Sequence, residues 1–138
     1  MASCDALPLR RIDHIRFFVG NARQSAYFYR NAFGFDIVAY AGLETGSRDE
    51  AGYVLRQGDI TFTLASPLNA GHPENNRLLL HGDGVQDIAL EVDDVQAAFA
   101  ETCRRGAVAV TPPRAAEDED GVMNQPPFAP TEIPLTRL

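Results

Sequence analysis

Two side chains occupy matching places in this chain and together could begin a metal site. His14 lies in "IDHIRFFV" (12–19) and Asp87 in "VQDIALEV" (85–92), 73 positions apart (14 and 87) in two stretches that echo each other. A paired fold that held a divalent ion would want a good ligand at both places. A facial Fe(II) centre asks for two histidines and a carboxylate, with open positions for O₂ and substrate. Other residues that could do chemistry have plainer readings. His72 and His81, with Glu74 and Asp83, flank a polar loop and read as solvated. "HGDG" (81–84) has the glycines of a tight turn but no following helix to cradle phosphate. Glu91 shares the face of Asp87 and could act as a general base, yet an ion-paired strand glutamate is the commoner case. Cys103 lies on a helix stripe, where an inert thiol is expected. "AEDED" (116–120) is an acidic run of the kind that is usually just solvated. Tyr27, Phe28, Tyr29 and Phe33 belong to helix packing before any aromatic cage.

The elements that must position these groups follow from periodicity. Residues 12–19 alternate as a strand, with Ile15, Phe17 and Val19 on one face and His14, Arg16 and Phe18 on the other. Asn21 opens a helix, with Gln24 at the spacing of a capping box. Ala22, Ala26, Tyr29 and Phe33 form its apolar stripe, and Gly34 closes it. "FDIVAYAGL" (35–43) is a strand, and "YVLRQGDITFTLASP" (53–67) is a hairpin around Gln57-Gly58-Asp59. "NAGHPENNRLLLHGDG" connects to the echo. There Ile88, Leu90 and Val92 face one way and Asp87, Ala89 and Glu91 the other. Asp94 caps a helix with a stripe of Val95, Ala98, Phe99, Thr102 and Cys103, closed by Gly106.

Strand phase, cap position and closing glycine repeat together, which predicts an α+β fold of two βαβββ modules, 11–67 and 82–121. The second module is incomplete. Residues 107–111 offer one short strand, and nothing after them matches the hairpin that the first module spends on 53–66. Four prolines between Pro126 and Pro134 remove donors from any ladder, so 122–138 is expected to be irregular.

Composition excludes several roles. The chain has 138 residues, a net charge of −7 and twelve basic residues, all of them arginine. Without a basic face, binding to a phosphate backbone is not expected. No apolar run reaches the roughly 20 residues of a membrane span. Two cysteines make no disulfide framework, and "MASCDALPLRR" lacks the apolar stretch of a secretory signal, so a cytoplasmic location is expected.

The stretches "DHIRFFVGNARQSAYFYRNAFGFDIVAYAGLETGSR", "VLRQGDITFTLASPL" and "HGDGVQDIALEVDDVQAAFAETCRRGA" resemble the vicinal oxygen chelate superfamily of glyoxalases, bleomycin-resistance proteins and ring-cleaving dioxygenases. Within it they are most similar to the N-terminal domain of the 4-hydroxyphenylpyruvate dioxygenases and hydroxymandelate synthases. The resemblance covers residue 12 to about 121. It implies Fe(II)-dependent oxygenation of an aromatic 2-keto acid with loss of CO₂, to homogentisate in tyrosine breakdown or to 4-hydroxymandelate. It also implies that two histidines and a glutamate hold the iron in a C-terminal domain, and none of these maps onto this chain.

Superfamily members that bind metal draw ligands from the first and last strand of each module. His14 is a suitable ligand, Asp87 a poor one, "ITFTLAS" (60–66) offers none, and the last strand of the second module is missing. No metal site, cofactor or catalytic residue is therefore expected in this chain, and His14 reads as structural, hydrogen-bonded to Asp87 across the seam between modules. Substrate-binding residues are not assigned. Three roles follow: the iron-free half of such a dioxygenase; a metal-free small-molecule binder using Phe18, Thr61, Thr63 and Ala89; or an interaction module for a separate iron-bearing partner. Self-association is expected from the incomplete second module.

Overall fold

The computed structural model describes residues 7, 9–110 and 112–113, together with the backbone of 133–134. Strand β1 (Leu9–Phe18) starts earlier than the alternation indicates and leads into α1 (Ala22–Phe33). The Asn21 side chain accepts the Gln24 N–H at 3.0 Å, as its position predicts. Gly34 turns left-handed at φ 78°, and its N–H returns to the Arg30 carbonyl; a residue with a Cβ would be strained there. Strands β2 (Asp36–Ala41), β3 (Glu50–Gln57) and β4 (Ile60–Pro67) complete the first βαβββ module, β3 and β4 joined by the two-residue turn Gly58-Asp59. Strand β5 (Gly84–Val92) and α3 (Val95–Arg104) then repeat β1 and α1, with Asp94 capping the Ala97 N–H at 3.0 Å.

With Ile133–Pro134 as β6, the sheet runs β2-β3-β4-β1-β5-β6, β1 parallel to β4 and antiparallel to β5. The β1–β5 seam therefore joins the two modules through backbone hydrogen bonds. One face of the sheet carries α1. Ala22 and Ala26, the small residues of the helical stripe, let the helix sit close over Leu55 and Leu64, with Val19 and Phe35 closing the cluster. Phe62 lies against Phe17, Tyr29 and Phe35, with ring centroids 5.1, 5.5 and 4.9 Å away. Leu55 and Leu64 are fully buried, each worth about 1.5–3 kcal/mol in transfer from water. All six residues of this core lie in the first module.

The second half is looser, and several expectations change there. Of the α3 stripe only Ala98 is fully buried, while Val95, Phe99, Thr102 and Cys103 are half-buried. Residues 107–110 form no strand and stand exposed, Val108 at 87%. The connection before β5 is not all loop, because "NNRLLLH" forms α2 (Asn75–His81), where its leucines and arginine are good helix formers. In the proline-rich tail, Ile133–Pro134 pairs antiparallel with Leu90 and Ala89 as β6. Proline is tolerated there because an edge strand leaves one row of donors unused. The remainder of 122–138, and the acidic run 116–120, lie outside the described residues.

Candidate functional site

The sheet face opposite α1 collects the polar side chains. Alternation along β1 puts His14, Arg16 and Phe18 on it, beside Thr63 of β4, Glu50 of β3, and Asp87 and Ala89 of β5. The register decides which of them meet. His14 pairs with Ala89 and Arg16 with Asp87, so the direct His14–Asp87 contact expected from sequence phase is displaced by one pair. β1 and β5 are not in uninterrupted register, and the breaks near Ile12 and after Arg16 shift one copy against the other. His14 is buried, with its Nδ1 at 3.0 Å from the Asp13 carboxylate.

The break after Arg16 makes Gln86 the extra residue of β5, and it turns toward the arginine. Arg16 Nε donates to the Gln86 Oε1 at 2.7 Å, and Nη2 donates to the Glu50 Oε2 at 2.6 Å. The other Glu50 oxygen meets His72 Nε2 at 3.0 Å, and the Glu74 N–H donates to His72 Nδ1 at 3.1 Å. An N–H donor at Nδ1 requires a lone pair there, so the proton sits on Nε2 and is given to Glu50. The ring also stacks on Phe18, 5.2 Å between centroids. Arg16, Glu50 and His72 are thus one clamp, with side chains 15%, 27% and 9% exposed. His72, expected to be solvated, is among the most buried polar groups.

Two groups on this face are under electrostatic or hydrogen-bonding tension. Burial pushes the Asp87 carboxyl above the ordinary aspartate range, opposed by the charges of Arg16 and Arg77. The Thr63 hydroxyl is buried with no hydrogen-bond partner among the described residues. Glu91 is bound to Arg11 at 2.5 Å near the surface, an ordinary ion pair. Asp83 accepts the Gly20 N–H at 2.8 Å, which ties the "HGDG" turn to the end of β1. His81 ends α2 beside a small cavity of about 70 Å³ with Phe18 and Arg77. Cys103 is a free thiol on α3.

These donors do not suit a facial Fe(II) site. His72 uses both ring nitrogens within the clamp, the Arg16 cation lies against Glu50 and faces Asp87 across the seam, and His14 has turned to Asp13. Among the described residues no three His, Cys, Asp or Glu side chains converge. The Arg16–Glu50–His72 clamp escaped the sequence reading. Its one signal was an arginine on the inward-leaning face of β1, which must find a carboxylate when buried; which carboxylate depends on the fold.

A profile of the Glyoxalase/Bleomycin resistance protein/Dioxygenase superfamily matches residues 11–130. This chain belongs to that superfamily. Among similar superfamily proteins, the 4-hydroxyphenylpyruvate dioxygenase of Coccidioides posadasii is 46% identical over 125 residues, 81% of this chain and 31% of its own length. That of Xenopus tropicalis is 47% identical over 109 residues, 78% of this chain and 28% of its own. A mutant of 4-hydroxymandelate synthase from Streptomyces coelicolor superposes with a TM-score of 0.73 at 31% identity, covering 77% of this chain and 32% of that one. The chain therefore spans about a third of the length of these relatives, corresponding to the N-terminal part of the dioxygenases. No helix among the described residues is long and apolar enough to cross a membrane.

Proposed function

We propose that this chain serves as the iron-free half of a dioxygenase acting on an aromatic 2-keto acid of the 4-hydroxyphenylpyruvate type. The clamp carries the reading. On the face where two-module relatives assemble a metal, this chain has an arginine joined to Glu50, the carboxylate that meets His72. A guanidinium cannot share that space with a dication, and both His72 nitrogens are engaged. The chain's part is then architecture: it presents a rigid sheet to an iron-bearing module, on a further domain or a separate chain, and it contributes contacts between copies. Its place of work is the cytoplasm. The product, homogentisate or 4-hydroxymandelate, is decided by the iron-bearing module.

The test is oxygen uptake by the purified chain with Fe(II) and 4-hydroxyphenylpyruvate, together with elemental analysis. No uptake and no stoichiometric metal are expected, and activity returns only when an iron-bearing dioxygenase module is supplied. Stoichiometric iron, manganese or zinc that is lost on His14→Ala would overturn the proposal.

A second reading is a metal-free binder of small aromatic ligands, favoured by the Thr63 hydroxyl, unpartnered among the described residues, on the same sheet face as Phe18 and Ala89. It expects a rise in melting temperature with an aromatic acid. Thr63→Val, which removes the hydroxyl and keeps the shape, should abolish that rise.

A further inference from the structure

On the opposite, helix-bearing face a cleft of about 550 Å³ opens between the start of α1 and strands β2–β4. Its volume is that of small-molecule sites. Three tyrosines line it beside Ile37 and Leu68: Tyr40 and Tyr53 lie 4.9 Å apart, and Tyr27 forms a further wall under the Arg23 guanidinium, 6.0 Å from the ring centroid. Two opposite charges stand in the same space. Arg23 makes no ion pair among the described residues, and its charge is felt at Tyr40, Tyr53 and Glu44 alike. Glu44 accepts the Tyr40 hydroxyl at 2.8 Å, and its carboxyl is held below the ordinary range first by its own backbone N–H and then by Tyr40. Gly42 permits this arrangement, since a Cβ there would come within 1.9 Å of the Tyr40 hydroxyl oxygen.

Two further features lie at the Arg23 end. Helix α1 begins there, and Asn21 caps only the Gln24 N–H, leaving the N–H groups of Ala22 and Arg23 without an intrahelical acceptor. Ser66, 6% exposed, lines the cleft, and its hydroxyl makes no hydrogen bond among the described residues. The cleft therefore has a cationic, donor-rich corner, an anionic group near enough to feel its charge, and aromatic walls beside the two.

We infer that this cleft binds a zwitterion with a flat apolar side chain, an aromatic α-amino acid. The carboxylate would meet Arg23, the first N–H groups of α1 and Ser66; the ammonium would meet Glu44; the ring would lie against the tyrosines. Because the cleft is on the face opposite the Arg16–Glu50–His72 clamp, the inference stands or falls apart from the proposed function.

The experiment is a titration of the ¹⁵N-labelled full chain with L-phenylalanine, followed by NMR. Shifts at Arg23, Glu44, Tyr53 and Ser66 are expected, saturable and stronger than with 3-phenylpropanoate or phenethylamine. Arg23→Gln, Glu44→Gln and Ser66→Ala should each weaken binding, the two charge removals about tenfold or more, the effect of one charge-assisted contact. Absence of saturable shifts overturns the inference. So do shifts confined to the Thr63 and Phe18 face, equal binding of either truncated analogue, or an affinity unchanged by both charge removals.

Discussion

Glu50 is the residue on which the polar face depends. It holds the Arg16 cation and accepts the His72 Nε2–H hydrogen bond, and both partners are largely buried. Removing one member of a buried pair costs more than the pair contributes, because the other charge is left desolvated. Arg16 keeps Gln86 as a partner in Glu50→Gln, so a loss of about 2–3 kcal/mol is expected from urea unfolding, near the low end for a broken buried pair. A loss below about 0.5 kcal/mol, typical of an exposed pair, would show that the clamp is not formed in solution. Asp87 behaves in the opposite sense. Its folded carboxyl is raised above the unfolded one, so folding favours the protonated form. Its contribution is fully present below the ordinary aspartate range and is lost as the pH rises through the raised value. Asp87→Asn should therefore unfold at a higher temperature than wild type at neutral pH, the difference vanishing in acid. The effect is small because the group is only half-buried. A variant less stable at neutral pH would show that the Arg16 and Arg77 charges outweigh burial.

At the scale of elements, the two helices repeat one design with different consequences. Both are capped by a side chain three residues before the N–H it accepts, at 3.0 Å in each case. Removing such a cap costs about 1 kcal/mol. Helix α1 is fastened over the core by Ala22 and Ala26, whereas α3 buries only Ala98. Asn21→Ala should thus lower global stability by about 1 kcal/mol. Asp94→Ala should instead fray α3, seen as faster amide exchange in 95–104 with little change in the unfolding midpoint. Equal shifts of the midpoint in both variants would mean that α3 belongs to the cooperative core after all. These caps were legible from Asn21, Gln24 and Asp94 because a cap is settled within one helical turn. Helix α2 was not, since seven residues lying between polar stretches carry too little periodicity to set a helix apart from a loop.

For the whole molecule, the seam between β1 and β5 makes one sheet of two unequal modules. The six residues of the cluster under α1 all lie in the first module, while the second, among the described residues, buries only the small Ala89 and Ala98 and gains its order by pairing β5 against β1. Leu64→Ala, in a fully buried position, should cost about 2–5 kcal/mol. It should also lower the exchange protection of β5 by the same free energy, although Leu64 lies outside the second module. Protection of β5 left unchanged while β4 loses its own would contradict this coupling.

Periodicity and local chemistry settled the strands, the caps, the repeat and the resemblance to the superfamily, because each is encoded within a few neighbouring residues or in a spacing that recurs. The phase of β1 also placed His14, Arg16 and Phe18 together on one face. Only the tertiary structure decided that Arg16, not His14, faces Asp87, and that Glu50 and His72 close the clamp. The antiparallel register of β1 on β5 sets which side chains oppose each other, and a side chain 34 positions away from Arg16 can be chosen only once the strands are laid side by side.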